Sequence, residues 1–498
     1  MIKSADPLHF GMGKRRLTSF TFQLVIGPIL SFLFVAIYAL AFLRSFPLLT
    51  WYKTPQATFA SLTHGSYLAA IGLSIACLGL VILCKKSWTV ARDRPGRSAV
   101  IFIWAGWLGA SAILLLTYPG QSTDLGDYAF RAHMLVHLGK NPMTTSPNQV
   151  IAFENYPYLA WYTTVDYYGP IWQGLAGSAH LIAGEGLLAN LIAFKVIAIL
   201  SIAVSGGFIH AILRRINPRH AEAGLALWLW NPLVLNEGAL HGHNDLVLVA
   251  IMLAGLWLVL KGRQTSGVVT LLAAGLVKAN IWILIPVVAI WILRQWGWRK
   301  ALSTMALALL TGVIIIWLAY LPFGGWIRLL DLAYQRSWWP TNTWTAAIFF
   351  TLRDKLGWAH ELVVKQVSNN VTWLCGGILL IVMLKIRDLL TCLWAAILAY
   401  LLIGCHWFQP WYATWLIAIT ALTVNPRLVN YALLFTWFML LHPIVAQFVV
   451  GPLHLPPWDY SLAMAASTLL APQIMALRLI VSPRVKSAPS KMADSLNL

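Results

Sequence analysis

The stretches Phe20–Phe42, Ser98–Leu116, Leu187–Leu213, Ala301–Leu321, Leu428–Val450 and Tyr460–Ile480 are all apolar over lengths that can cross a bilayer. About 20 helical residues suffice for one span. In lipid a backbone must satisfy its own hydrogen bonds, which leaves only helices or a closed barrel. The runs are continuous rather than alternating, so a helical bundle is favoured over a barrel. The expected class is all-α: a multi-pass transmembrane helical bundle. Composition agrees, at 59% hydrophobic and 10% charged over 498 residues with a mean hydropathy of +0.72. The first run follows Lys14-Arg15-Arg16. It is too long for the core of a signal peptide and no small-residue cleavage site follows, so it reads as a retained anchor helix.

A net charge of +19 suggests a nucleic-acid partner only until its distribution is read. The cations gather in short segments between apolar runs: Lys85/Lys86/Arg92/Arg94/Arg97, Arg214/Arg215/Arg219, Lys261/Arg263, Arg294/Arg299/Lys300, Lys385/Arg387 and Arg484/Lys486/Lys491. That is the positive-inside pattern, and it places both termini in the cytoplasm and the chain in the plasma (inner) membrane. No compact basic domain remains to bind nucleic acid. The cysteines (Cys77, Cys84, Cys375, Cys392, Cys405) form no CxxC pair or disulfide framework, which argues against redox and zinc chemistry. The reading is a single integral membrane domain over 1–481 with a disordered cytoplasmic tail, 482–498.

Threaded from inside, helices near 20–43, 66–84 and 98–117 deliver the chain outside. The segment 118–166, the longest without a membrane-length run, becomes the main extracytoplasmic loop. A full span over Tyr167–Gly186 would put Arg214 and Arg215 outside, so a re-entrant or interfacial helix is expected there. Further helices follow near 187–213, 221–237, 244–260, 266–278, 280–294, 301–322, 367–385, 389–405, 411–425, 428–450 and 460–480. Counting short and re-entrant pieces, about 13–15 membrane segments are expected, the short ones lining a cavity. On this threading "NEGALHGHND", "LVKAN", "QRSWWPTNTW" and "CHWFQPWY" meet the long loop on one face.

Within that loop, "STDLGDYAFRAHMLVHLGKNP" concentrates ionisable groups in a chain that otherwise avoids them. Asp124 and Asp127 start a helix. Asp124 serves either as N-cap or as a general base held at a membrane surface. Their spacing of three also suits a shared divalent cation, Mg or Mn, although nothing in the sequence requires one. Glu237, His241, His243, Asn244 and Asp245 form a polar turn that either caps a helix or serves function, since such groups are costly in a membrane unless paired. Lys278 interrupts two apolar half-helices and either snorkels to headgroups or holds an anion. Arg131, Arg336 and His406 are weaker candidates for the same task. Trp339, Asn342, Gln409 and Trp411 suit either an aromatic belt or a sugar, whose apolar face stacks on indole while its hydroxyls need partners.

Taken in order, S-x-D-x-x-x-Y…G-x-N-P (Ser122, Asp124, Tyr128, Gly139, Asn141, Pro142), Y-G-P-x-W (Tyr168 to Pro170 and Trp172), N-P…E…G-H-N-D (Asn231, Pro232, Glu237, Gly242 to Asp245), Lys278 and Q-P-W-Y (Gln409 to Tyr412) resemble the GT-C glycosyltransferases. The nearest members are glycosyltransferase family 87 and the mycobacterial-type polyprenol-phosphate-mannose-dependent α-mannosyltransferases. The resemblance covers roughly 98–425. It implies a GT-C-like bundle transferring mannose, with inversion, from a polyprenyl-phosphate sugar to a lipid or glycan acceptor on the outer face. The first-loop aspartate it carries over is Asp124, with Tyr168 in support. Met143 stands where the family commonly has tyrosine, which bears on the pocket's shape, and Asp127 falls where members vary. A secondary transporter or lipid-linked sugar flippase is the rival reading. It fits less well because the charges gather at one face and no internal repeat is visible.

Overall fold

The computed structural model describes residues 25–54, 57–150, 159–337 and 340–481. Three helices come first, α1 (Val25–Leu43), α2 (Tyr67–Asp93) and α3 (Arg97–Leu115). The long loop then carries α4 (Asp124–Val136) and α5 (Pro170–Ala183), before α6 (Leu187–Ile216) re-enters the bundle. At 14 residues, α5 is too short for a span. The helices α7 (Ala221–Leu229), α8 (Pro232–Leu240) and α9 (Asp245–Leu260) follow, α8 and α9 forming a pair bent by 119°. Next come α10 (Gln264–Gly275), α11 (Leu284–Tyr320, bent at Gly297), α12 (Ile327–Ser337), α13 (Trp344–Phe350) and α14 (His360–Lys385). The last are α15 (Leu389–Gly404), α16 (Ala413–Thr423), α17 (Pro426–Leu453) and α18 (Pro457–Val481).

Among the described residues, 8 helices are long and apolar enough to cross a membrane, or 9 with the bent pair counted as one span. The remainder of the expected segments are the shorter pieces α7, α10, α15 and α16, which cannot span alone. The 221–237 segment is two helices because Pro232 has no N–H to continue the first. Asn231 restarts the chain by capping Leu233 N at 3.0 Å and Val234 N at 3.3 Å. Such broken backbone is tolerated in a membrane protein where protein surrounds it, and every residue from Ala221 to Val249 is buried.

The core forms around α7 to α9 and α16. Trp228, Trp230 and Trp415 are fully buried, and the indoles of the first two reach the Ile202 and Ile103 carbonyls at 2.9 Å. Outer helices instead expose leucine and isoleucine, as at Leu68 and Ile182, a surface suited to lipid. Lys195 is wholly buried in α6. It donates to the Leu114, Leu115 and Thr117 carbonyls at 2.8, 3.2 and 2.5 Å. These are the orphan acceptors at the C-terminus of α3, where a cation also meets the negative end of the helix dipole. The bond anchors the chain just before the long loop leaves the bundle.

The helices have polar ends of two kinds. At one end lies the larger set of basic residues: Lys85 to Arg97 from the last turns of α2 to the start of α3, Arg214 to Arg219 from the last turn of α6 onward, Lys261 and Arg263 after α9. Arg294 to Lys300 at the α11 bend, Lys385 at the end of α14 with Arg387 just after it, and Arg427 at the start of α17 continue the series. The opposite helix ends carry Asp124, the 241–245 turn, Lys278, Trp407 to Trp411, Gln447 and Tyr460. One set of clefts gathers residues from most of these opposite ends.

Candidate functional site

Asp124 is the first residue of α4, not its cap: Thr123 holds that position, and no side-chain cap bond is made. The capping expectation for Asp124 therefore fails. Its Oδ2 instead accepts from the Tyr128 and Tyr168 hydroxyls, both at 3.3 Å, and lies 3.5 Å from His243 Nδ1. Burial pushes the Asp124 carboxyl up, but His243, Lys278 and Tyr168 outweigh it and hold it below its ordinary value.

One turn on, the environment reverses. Asp127 Oδ1 accepts from Trp161 N at 3.1 Å and Oδ2 from Ala160 N at 3.4 Å. Burial, with the neighbouring Asp124 charge, pushes Asp127 up to about 7 against the pull of Arg131 and these amides. Arg131 Nη2 donates to the Trp161 and Thr164 carbonyls at 2.8 and 2.9 Å. Asp127 and Arg131, four residues apart on one helix face, thus hold the N–H and the C=O of Trp161 respectively. The Arg131 Nη1 is buried with no partner among the described residues.

The 241–245 turn faces Asp124. His243 places Nδ1 toward Asp124 and Nε2 3.2 Å from Glu237 Oε2; both nitrogens can donate only as the imidazolium. Its ring stacks on Trp411 at 3.9 Å. His241 Nδ1 lies 3.7 Å from the same Glu237 oxygen. Glu237, His241 and His243 bring ligand atoms within 4.8 Å of one another, a set able to hold a divalent cation. Gly242 turns the chain at φ +66°. The Asn244 side chain is buried with no partner among the described residues.

Lys278 is neither snorkelling nor idle. Its ammonium meets Asp245 Oδ2 at 2.5 Å, while Asp245 Oδ1 accepts from the Trp415 indole at 2.9 Å. The ammonium also faces the Tyr168 and Tyr412 rings at 5.0 and 4.9 Å, within cation–π range.

A cleft of about 670 Å³ is lined by Asp124, Asp127, Arg131, Tyr168, Gln409 and Trp411 among others. A second, of about 900 Å³, is lined by Asp124, Ser122, Leu191, Gln409, Trp411 and Gln447 among others. Asp124 is the one carboxylate lining both. Trp161 lines these two clefts, a third that reaches Glu237, His241 and Asn342, and a larger one toward Phe349, Phe350 and His360. Asn342 fixes the third by donating to the Phe408 carbonyl at 3.3 Å. His406 contributes its carbonyl to Thr341 N at 3.0 Å and belongs to none of the four linings. Trp339 and the Arg336 side chain lie outside the described residues. Met143 sits in an apolar cluster with Leu276, Tyr320 and Phe323 and in none of these linings, so it shapes the support and not the clefts. Trp161 and Lys195 escape a reading of the sequence. A lone lysine in an apolar run signals the second; nothing local signals the first.

Residues 29–295 match the sequence profile of the family described as alpha-(1->6)-mannopyranosyltransferase, N-terminal domain. The chain belongs to this family. Among its relatives, alpha-(1->6)-mannopyranosyltransferase A of Mycobacterium tuberculosis is 26% identical over 408 residues, covering 76% of each chain. A probable alpha-(1->6)-mannopyranosyltransferase of Mycolicibacterium smegmatis is 22% identical over 72% of each chain. In Corynebacterium glutamicum, alpha-(1->6)-mannopyranosyltransferase A is 27% identical over 36% of each chain. No solved structure matches. The matched span includes α4, the 241–245 turn and Lys278, so family membership covers most of the polar centre. Gln409 and Trp411, which close it, lie beyond the matched residues.

Proposed function

We propose that this protein transfers mannose from a polyprenyl-phosphate donor to a hydroxyl of a lipid or glycan acceptor, on the extracytoplasmic face, with Asp124 as general base. The observation that carries this reading is the position of Asp124. It is an ionised carboxylate at the seam of two clefts, where a hydroxyl from one side can meet an anomeric carbon from the other. The ionised form is the one that accepts a proton. As the acceptor oxygen attacks, its proton passes to Asp124 and the bond to the polyprenyl phosphate breaks. A single displacement inverts the anomeric carbon, so an α product of the kind named in the relatives requires a β-linked donor.

The donor phosphate fits beside Arg131, whose Nη1 is unengaged among the described residues in the cleft that also holds Asp124. Cations stabilise the charge that grows on a departing phosphate. The prenyl chain fits the larger neighbouring cavity, which is lined by Tyr167, Phe349 and Phe350 and shares Trp161, Thr164 and Trp407 with the first cleft. Lys278, paired with Asp245, acts behind Tyr168 in this scheme and supports the floor of the site. The outward orientation is supported by the larger set of basic helix ends lying opposite the clefts, the side that the positive-inside rule assigns to the cytoplasm.

The test is transfer by the purified protein from polyprenyl-phosphate mannose, compared with a nucleotide-linked mannose, to an α-mannoside acceptor. Transfer from the lipid donor alone supports the proposal. Transfer from the nucleotide donor alone refutes it.

A further inference from the structure

On the α4 surface, beyond the Arg131 clamp, lies a second group of ionisable residues that the transfer reaction does not use. His133 and His137 stand four residues apart at the C-terminal end of α4, and His180 reaches them from α5. The three rings form a near-equilateral triangle, with centroids 5.2, 5.5 and 5.2 Å apart. Their ligand nitrogens lie within 4.8 Å of one another.

The tautomer of His180 is set by its surroundings. Asn190 Nδ2 donates to the Gly184 and Gly186 carbonyls at 2.7 and 2.9 Å, which turns Oδ1 toward His180 Nδ1 at 2.7 Å. An amide oxygen only accepts, so His180 Nδ1 carries the proton and Nε2 presents a lone pair. His180 is only 3% exposed, and that Nε2 has no hydrogen-bond partner among the described residues. A buried acceptor left bare is costly. A histidine whose far nitrogen is fixed by a side-chain or backbone oxygen is also the usual arrangement behind a metal ligand. His137 is exposed and His133 partly so, leaving the open side of the triangle toward solvent.

We propose that His133, His137 and His180 form a binding site for a divalent d-block cation such as Zn²⁺, with Asn190 orienting His180 and a water in the fourth position. Three imidazoles favour zinc, cobalt or nickel over magnesium or calcium, which prefer oxygen. The exposed His137 side chain supplies the adjustment needed to close the nitrogens around an ion with bonds of about 2.0–2.1 Å. The metal would strap the C-terminal end of α4 to α5, where Gly177 lets α5 lie close enough that a Cβ would meet Val136 at 3.0 Å. Asp124 rides on the other end of the same helix.

The test uses the full-length protein purified in detergent without a polyhistidine tag and titrated with Co²⁺. One ion should bind per chain with the visible absorption of four-coordinate cobalt, and Zn²⁺ should displace it. His137→Gln, at an exposed side chain that leaves packing intact, should abolish that absorption. Asn190→Ala should weaken Co²⁺ binding about 10–100-fold, the usual cost of losing an orienting partner. Binding that survives His137→Gln unchanged overturns the proposal, because the ion then sits elsewhere, as at Glu237, His241 and His243. So does a wild-type protein that shows no four-coordinate cobalt spectrum.

Discussion

At the scale of single residues, Asp124 and Asp127 differ by one helical turn and have opposite surroundings, which makes them separable by experiment. Asparagine keeps the size of Asp124 but cannot take up a proton, so Asp124→Asn should lower turnover by about 10²–10⁴ while donor binding persists. Equilibrium binding of a fluorescent polyprenyl phosphate alongside the transfer rate checks both halves; wild-type turnover in the variant would remove Asp124 as base. Asp127 carries a different signature. Its value rises from 3.8 to about 7 on burial, so its neutral form is the one the fold prefers. The stability that form contributes is complete below the unfolded value and is lost as pH rises through about 7. Asp127→Asn, which cannot ionise, should therefore lose less stability than the wild type as pH rises from about 4 to about 7, measured by thermal unfolding in detergent. The Lys278–Asp245 pair makes a further case. Lys278→Met strands a buried carboxylate and should cost about 3–5 kcal/mol, whereas Lys278→Met with Asp245→Leu should recover most of it. If both proteins are equally unstable, the pair is not what Lys278 is for.

At the scale of elements, legibility followed distance along the chain. The membrane helices were readable because apolar length is a local property, but the α7–α8 break was missed by the expectation of one helix over 221–237, although Asn231-Pro232 is a local stop and restart. The Lys278–Asp245 pairing was not readable, because it joins residues on either side of α9 and α10 and depends on how those helices pack. Nor was the purpose of Asp127 and Arg131, whose shared object, the Trp161 peptide, is about 30 residues away and lies in irregular chain. Polar composition announced the 241–245 turn without revealing that His243 would span two carboxylates. That turn rests on Gly242, where a Cβ would meet Leu125 Cδ2 at 2.5 Å and φ is +66°. Gly242→Ala should cost about 1–2 kcal/mol from backbone conformation alone, more with the overlap. Because Leu125 adjoins Asp124, turnover should fall further than stability explains. Parallel unfolding and rate measurements test this, and an unaltered rate in the variant would show that the turn does not set Asp124 against His243.

At the scale of the whole molecule, the separation of helix ends into a basic set and a set that converges on the clefts predicts orientation. A positive-inside arrangement puts Arg215, in the last turn of α6, in the cytoplasm and Lys140, after α4, outside; both side chains are exposed, so each is reachable by a reagent. The native thiols make a clean background simple to obtain. Cys77, Cys84, Cys392 and Cys405 are buried and Cys375 is half-buried, so Cys375→Ser should remove most native reactivity. In that background, Lys140→Cys should react with a membrane-impermeant maleimide in intact cells, and Arg215→Cys only after the membrane is opened. The orientation matters for the chemistry because a polyprenyl-phosphate sugar needs no cytosolic nucleotide pool at the face where it is consumed, whereas a site facing inward would have no such reason to dispense with nucleotide sugars. Labelling with the reverse pattern would turn the clefts toward the cytoplasm. It would leave the fold and the Asp124 geometry intact but remove the case for an extracytoplasmic lipid donor.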